Sequence, residues 1–336
     1  MESLIPNTKQ QAVETALQAA FQTTTMDSIT LLTGGLSSAL VYKMMVAGKP
    51  YVLRLVMQTD ALNDPARQYT CMQLAAAAGV APRVYYANSE DAVSITDFVD
   101  SIPWAGHFAS PDDLIIALAK TVKTLHTTPL FPKLVNFLDG VDLFIQQFQA
   151  LDLLPAKITE EYFRYYAEIQ KVYPRHDPDL VSSHNDLNPG NILFDGKQFW
   201  LIDWDAAFQN DRYVDLAIAA RPFVVDETQE TVYLKAYFGD TLDAYKRARF
   251  FLMQQVCHMY YAMIMLKFAA ATKPAAVAVD DNMATPRLRD FHRQIGAGQV
   301  SLATYEGKLG YGKTLLNEAL YHMKTPSFAA TIKQMT

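Results

Sequence analysis

The sequence predicts an α+β protein of two lobes, a small strand-rich one followed by a larger, mainly helical one. Three observations predict it. Five strand-like runs and a single intervening helix fill residues 29–99. Helical periodicity dominates from Pro111 onward. One strand pair, residues 192–194 and 199–202, interrupts the helical part around Asp195-Gly196-Lys197. Strands first and helices afterwards is the order expected when the two are segregated. With 336 residues the chain has room for two domains or one large bilobal unit.

Residues 8–21 place Val13, Ala16, Leu17, Ala20 and Phe21 on one helical face, with Asn7 or Thr8 as the expected cap. Strand-like runs follow at 29–33 and 39–45, and a turn at Ala47-Gly48-Lys49-Pro50 leads to a third at 51–56. Asp64-Pro65 is a helix start, with Asp as cap and Pro at the first helical position, and Gly79 is its natural stop. Residues 83–86 and 93–99 complete the five strands. Helices are predicted at 117–126, 162–172, 213–220, 230–238 and 250–271. Residues 272–285 form a loop. Gly296, Gly298, Gly307, Gly310 and Gly312 break the pattern beyond it, and no element is assigned there.

The chemistry concentrates between residues 182 and 205. His184-Asn185-Asp186-Leu187 is followed by Asn188-Pro189-Gly190-Asn191, then the hairpin, then Asp203-Trp204-Asp205. The hairpin carries Asn191 and Asp203 at its open end, near each other and near Asp186. That order suits metal-assisted phosphoryl transfer to a hydroxyl. One carboxylate takes the substrate proton, while an amide oxygen and a second carboxylate hold magnesium on the nucleotide phosphates. The plain structural alternative is a polar turn ahead of a hairpin. Arg54 lies inside the apolar run Tyr51-Val-Leu-Arg54-Leu-Val56, where a charge needs a partner or a function. A guanidinium fork suits phosphate oxygens, and an edge-strand Arg facing water is the alternative. Gly34-Gly35-Leu36-Ser37-Ser38 reads either as an ordinary turn or as a loop whose amides and hydroxyls approach phosphates.

These motifs resemble the aminoglycoside phosphotransferase and choline/ethanolamine kinase superfamily, a branch of the protein-kinase-like fold. His184-Asn185-Asp186-Leu187 with Gly190-Asn191-Ile192-Leu193 is similar to the choline-kinase form of the catalytic loop, and Ile202-Asp203-Trp204-Asp205 stands where protein kinases carry Asp-Phe-Gly. The likeness covers most of the chain, strongest over 181–216. It implies a five-stranded antiparallel small lobe with one helix over 1–98, which binds the nucleotide phosphates. It implies a helical lobe over 99–336 with the catalytic loop, metal site and acceptor pocket.

The resemblance also implies roles. Asp186 is the catalytic base, Asn191 and Asp203 ligate Mg2+, and His184 braces the loop. Arg54, Gly35, Ser37 and Ser38 contact the phosphates of ATP. Residues 95–99, with Asp97 and Val99, link the lobes and meet the adenine edge. Gln68 occupies the place where relatives carry a Glu that pairs with the strand cation. As a neutral partner it holds Arg54 less firmly, unless an acid such as Asp60 or Asp64 substitutes. Asp205 faces the metal or the acceptor. Asp215 braces the catalytic loop, and His126, which matches a family pattern at the end of a helix, is a structural histidine. Met253, His258, Tyr260, Tyr261 and Trp104 are candidate walls of an acceptor pocket, where aromatic faces suit a quaternary ammonium. The implied activity is transfer of the γ-phosphate of ATP to a small-molecule hydroxyl, with an amino-alcohol such as choline or ethanolamine favoured. An aminoglycoside or sugar acceptor and a catalytically weak binding protein are the alternatives.

Composition sets outer bounds. Half the chain is hydrophobic (50%) and 19% is charged, which supplies a core and excludes global disorder. A net charge of −6 argues against a nucleic-acid partner. Cys71 and Cys257, far apart and in apolar contexts, read as free core thiols of a reducing, cytoplasmic compartment. The first residues, Met-Glu-Ser-Leu-Ile-Pro, lack a basic region followed by an apolar run, so no signal peptide is expected. Gln254, Gln255, His258 and Lys267 interrupt the most apolar run, which reads as a buried helix and not as a membrane span. The histidines lack metal-site spacing, and no Gly-x-Ser-x-Gly elbow is present. Nothing in the sequence fixes an oligomeric state.

Overall fold

The structure, a computed structural model, describes residues 4–32, 39–104, 106–151, 153–176, 179–275 and 281–336. The expected phosphate loop with Gly35, Ser37 and Ser38 lies outside the described residues. The chain divides into two compact units: Met1–Leu134 with Leu180–Asp215, and Val135–Asp179 with Leu216–Thr336.

In the first unit, α1 (Gln10–Phe21) precedes the strands β1 (Ser28–Leu31), β2 (Leu40–Val46) and β3 (Lys49–Leu55). Helix α2 (Pro65–Ala77) then leads to β4 (Val84–Asn88), β5 (Val93–Asp97) and α3 (Pro111–His126). The sheet is antiparallel throughout in the order β1-β2-β3-β5-β4, as the resemblance implied. Alternation explains its single core. Tyr42, Met44 and Val46 of β2 and Tyr51, Leu53 and Leu55 of β3 point to one face, where Val13, Ala16 and Leu17 of α1 cover them. Arg54 is thereby sent to the opposite face. The β2–β3 connection is a two-residue turn with both φ positive, Ala47 at 50° and Gly48 at 73°, which matches the right-handed twist of the flanking strands.

Helix α2 starts as its sequence predicts, with the Asp64 carboxylate accepting from the N–H of Ala66 (2.9 Å) and Arg67 (3.3 Å). The α1 cap differs. Lys9 sits at the cap position without a side-chain bond, because residues 7–9 turn as a 3-10 helix and Asn7 accepts instead from Gln10 Nε2 (3.1 Å).

Four short strands complete this unit: β6 (Leu180–Ser183), β7 (Ile192–Phe194), β8 (Phe199–Leu201) and β9 (Phe208–Asp211). β7 and β8 form the predicted hairpin, and Asp195 closes its turn by accepting from Lys197 N (2.8 Å) and Gln198 N (2.9 Å). The hairpin is anchored to the chain after α2 by Leu201 N donating to Val80 O (2.8 Å), and to the segment after β5 by Ile102 N donating to Phe194 O (2.8 Å). That anchoring is why the hairpin clusters with the large sheet, and why the compact units follow packing and not a boundary at residue 98.

The second unit holds α4 (Phe137–Ala150), α5 (Ala156–Val172), the end of α6 (Arg212–Ala220), α7 (Glu227–Phe238), α8 (Ala244–Ala271), α9 (Leu288–Gly296), α10 (Tyr305–Met323) and α11 (Pro326–Met335). Its main packing pair is α8 with α10. Met253 of α8 is wholly buried, which makes it core and not a pocket wall. No helix among the described residues is long and apolar enough to cross a membrane.

Residues 307–314, Gly-Lys-Leu-Gly-Tyr-Gly-Lys-Thr, have the spacing of a phosphate-cradling loop, yet all eight lie inside α10. Gly307 N donates to Thr304 Oγ1 (3.1 Å), Lys308 N donates to Thr304 O (3.2 Å), and the N–H groups beyond them are committed to helix carbonyls, so this segment cannot cradle phosphates. Its small residues serve packing: a Cβ on Gly312 would lie 2.7 Å from Leu266 Cγ and 3.1 Å from the Ala262 carbonyl of α8. Gly312→Ala gains about 1 kcal/mol of helix propensity, but overpacking costs typically about 1–3 kcal/mol. We expect net destabilisation in urea unfolding. A more stable variant would mean that the two helices part without cost.

Candidate active site

The site is built on the ends of β6, the hairpin and β3. Asn185 follows β6 with φ of +64°, and Asp203 follows β8 with φ of +65°. Left-handed backbone at non-glycine residues has to be held by its surroundings. Around Asn185 the holding groups are explicit. Its N–H and that of His184 donate to the Asp215 carboxylate at 2.6 and 2.7 Å. Its side-chain oxygen accepts from Asn210 Nδ2 (2.6 Å) and Ser183 Oγ (2.8 Å), and its amide nitrogen donates to Ala206 O (2.9 Å). His184 is fully buried, and its Nε2 bonds Ile202 O at 2.8 Å, tying the loop to the residue before Asp203.

These constraints present Asp186 beside Asn191. The Asn191 amide nitrogen donates to Asp186 O (2.9 Å) and Oδ2 (3.0 Å), which directs its own side-chain oxygen elsewhere. Ile202 N donates to Asn191 O (3.0 Å), so Asp203 follows directly beside it. Asp203 keeps 39% of its side chain exposed. Loss of solvent on its protein-facing side, then the neighbouring Asp205 carboxylate, push its pKa above the usual aspartate range, against the pull of Arg54. The oxygens of Asn191 and Asp203 are hard donors of the kind magnesium takes, with phosphates and water filling the other positions. Among the described residues, no group of three His, Cys, Asp or Glu gathers as a metal site.

Arg54 comes to the same place from β3. Its NH2 lies 2.6 Å from both oxygens of Asp205 and 3.8 Å from Asp203, while its NH1 reaches Gln68 Oε1 at 3.4 Å. The strand cation therefore has an acid partner, but neither of those expected. Asp60 instead caps a turn by accepting from Leu62 N (2.7 Å) and Asn63 N (2.8 Å), and Asp64 caps α2. Asp205, expected at the metal or the acceptor, has both oxygens on Arg54. Arg67 was not singled out in the sequence. It is 4% exposed and donates to the carbonyls of Ala207 and Asp205, the latter at 2.9 Å. Burial lowers its pKa from the ordinary arginine value. Beside Gln68 it reads as an ordinary helix residue, and only a loop more than 130 residues away reveals its role.

Other expected residues sit as follows. Asp97 ends β5 with its N–H donated to Arg83 O (2.9 Å), and residues 98–100, including Val99, leave the sheet. Trp104 packs on the hairpin, its ring 6.3 Å from that of Phe199. Tyr260 and Tyr261 belong to the other compact unit. There Tyr260 meets Phe137 and Phe144 edge-on at 5.6 and 5.4 Å, and the Arg221 guanidinium lies 4.4 Å over the Tyr261 ring. His258 is buried, and desolvation, then the Arg221 charge, lower its pKa to about 3.

Comparison with known proteins bears on family and fold. The model of the phosphotransferase enzyme family matches residues 28–251. An uncharacterized protein of Metamycoplasma hominis is 32% identical over 132 residues, 37% of this chain and 23% of that protein. A LicA homolog of the same organism is 26% identical over 130 residues, covering 38% and 50%. A thiamine kinase of Shigella boydii is 28% identical over 174 residues, covering 51% and 58%. The chain thus spans less than two thirds of the length of these curated relatives. Among solved structures, a choline/ethanolamine kinase family protein from Mesorhizobium loti aligns with a TM-score of 0.66 at 18% identity, covering 97% of this chain and 99% of that one. A spectinomycin phosphotransferase in complex with ADP and spectinomycin aligns at 0.58 and 13%, covering 94% and 98%. Likeness at such identities establishes the fold, the protein-kinase-like one.

Proposed function

Because this chain belongs to the phosphotransferase enzyme family, we propose that it is an ATP- and magnesium-dependent small-molecule kinase. The observation that carries this reading is the convergence of Asp186, Asn191, Asp203 and Arg54 within one compact unit. Asn191 Nδ2 fixes one oxygen of Asp186. The Asp186 carboxylate accepts the proton of the acceptor hydroxyl as the hydroxyl oxygen attacks the γ-phosphorus and the bond to the departing ADP breaks. Asn191 and Asp203 would hold the magnesium. The ion, when bound, neutralises charge on the phosphate oxygens. Arg54 binds and orients the phosphates. Gly35, Ser37 and Ser38 cover them, and the chain from Asp97 to Val99 meets the adenine. Little covalent chemistry is asked of the protein, so positioning supplies most of the rate.

The acceptor we favour is a primary alcohol carrying a fixed positive charge nearby. Relatives named as a LicA homolog and as thiamine kinases support this class, as does the choline-kinase form of the loop. Choline and thiamine both carry a hydroxyethyl group and a quaternary nitrogen, and such a cation is drawn to aromatic faces. A donor of ATP type and two buried free cysteines suit the cytoplasm.

ADP release with magnesium-ATP, measured against choline, ethanolamine, thiamine, aminoglycosides, methylthioribose, homoserine and simple sugars, tests the reading. We expect turnover with a hydroxyethyl amine or cation. Turnover only with an aminoglycoside or a sugar would move the acceptor class. ATP binding without transfer to any acceptor would favour a kinase-fold binding protein, the reading that the neutral Gln68 motivates.

A further inference from the structure

We infer that Asp205 is the positioning residue for Arg54, taking over the part that an acid on α2 would otherwise play. The inference rests on the kinase reading above. Among the described residues, Asp203 lies 3.8 Å from the Arg54 guanidinium, and Gln68 and Asp205 lie closer. Gln68 is neutral, 3.4 Å away and 1% exposed. Its orientation is set by its own Nε2, which donates to Asn63 Oδ1 at 2.7 Å, so its oxygen faces Arg54 at the outer limit of a hydrogen bond. Asp205 is ionic and holds Arg54 through both oxygens at 2.6 Å. Charge-assisted bonds of this length are about twice as strong as neutral ones.

The exchange also moves the point of attachment. An acid at position 68 would tie the strand cation to α2. Here the cation is tied to the loop that follows Asp203. Helix α2 joins the same loop through Arg67, which donates to the carbonyls of Asp205 and Ala207. Two arginines from different elements thus converge on residues 205–207. The position of Arg54 and that of the loop carrying Asp203 become one variable. The guanidinium has five N–H donors, so it can keep Asp205 and still present donors to a phosphate.

The test is a charge transfer between the two partners. Wild type, Asp205→Asn, Gln68→Glu and the double variant are compared by calorimetric binding of magnesium-ATP, and by KM for ATP and for the best acceptor. Loss of the ionic partner should weaken ATP binding and raise its KM by about tenfold, with acceptor KM unmoved. The double variant should recover most of that loss, because the acid returns to the guanidinium from the other side. A merely structural Asp205 would not be rescued from position 68. No recovery in the double variant, or an Asp205→Asn effect confined to acceptor KM, overturns the inference. If Asp205→Asn melts too low to assay, the double variant must restore both melting temperature and ATP binding, and its failure overturns the inference equally. Wild type that binds ATP without turnover would sink the kinase reading, yet the binding series would still decide the role of Asp205. Wild type that binds no ATP would end both.

Discussion

Asp186→Asn is expected to keep ATP binding while turnover falls by about 10²- to 10⁴-fold, the usual worth of a positioned general base. The substitution is nearly isosteric. Asn191 Nδ2, now 3.0 Å from Asp186 Oδ2, can donate to the amide oxygen of the replacement equally well. The loop is held from behind by Asp215, His184 and Asn185, none of which depends on the Asp186 carboxylate. What disappears is an oxygen able to take a proton, since the replacement presents NH2 there. The measurement is kcat and KM with the best acceptor, alongside calorimetric ATP binding and a melting curve. Wild-type turnover would remove Asp186 from the chemistry. Loss of ATP binding together with a lower melting temperature would make it a structural residue.

The difference between what the sequence disclosed and what it hid follows the distance over which each feature is determined. The β7–β8 hairpin was legible because its signals are local: two apolar runs, and an Asp-Gly turn that Asp195 closes with its own carboxylate. Arg54 was legible because a charge in an apolar strand is anomalous wherever its partner lies. That partner was not legible, since Asp205 is 151 residues away. The strands Leu180–Ser183 and Phe208–Asp211 were also missed. Each is four residues long and partly polar, and they exist only because they pair with each other. Helix α4 is a different case. Asn136 caps it, and Leu138, Val141, Ile145 and Phe148 form a buried stripe at helical spacing, so its signal is local and stands in the sequence. The glycines of α10 mislead in the opposite sense: they interrupt a helix by propensity, yet a Cβ would meet Ser301 at Gly307, Phe291 of α9 at Gly310 and Leu266 of α8 at Gly312.

The largest effect on stability is expected at Asp215. Its carboxylate is wholly buried and takes three bonds: Asn185 N at 2.6 Å, His184 N at 2.7 Å and His126 Nε2 at 3.0 Å. Burial by itself would push its pKa up. The bond from His126, the charges of His126 and His184 and the backbone donor together outweigh burial and hold it below the usual aspartate range. Removing the acceptor leaves two backbone N–H groups and an imidazole buried without it, and each buried donor left unsatisfied costs about 1–3 kcal/mol. Asp215→Ala should therefore unfold at much lower urea. Asp215→Asn keeps the shape but sets an NH2 against N–H donors, so it should recover only part of the loss. The pH dependence has a definite sign. A depressed folded pKa gives stability that is present above the unfolded value of about 3.9 and is lost as pH falls through the lower folded value. The share of the gap between wild type and Asp215→Ala that comes from this carboxylate should narrow on acidification below that range. The same variant should lose turnover, because the carboxylate that holds Asn185 in its left-handed turn is what presents Asp186. An Asp215→Ala protein within about 1 kcal/mol of wild type, the worth of one ordinary hydrogen bond, would mean that the loop is held by Asn185 and His184 alone.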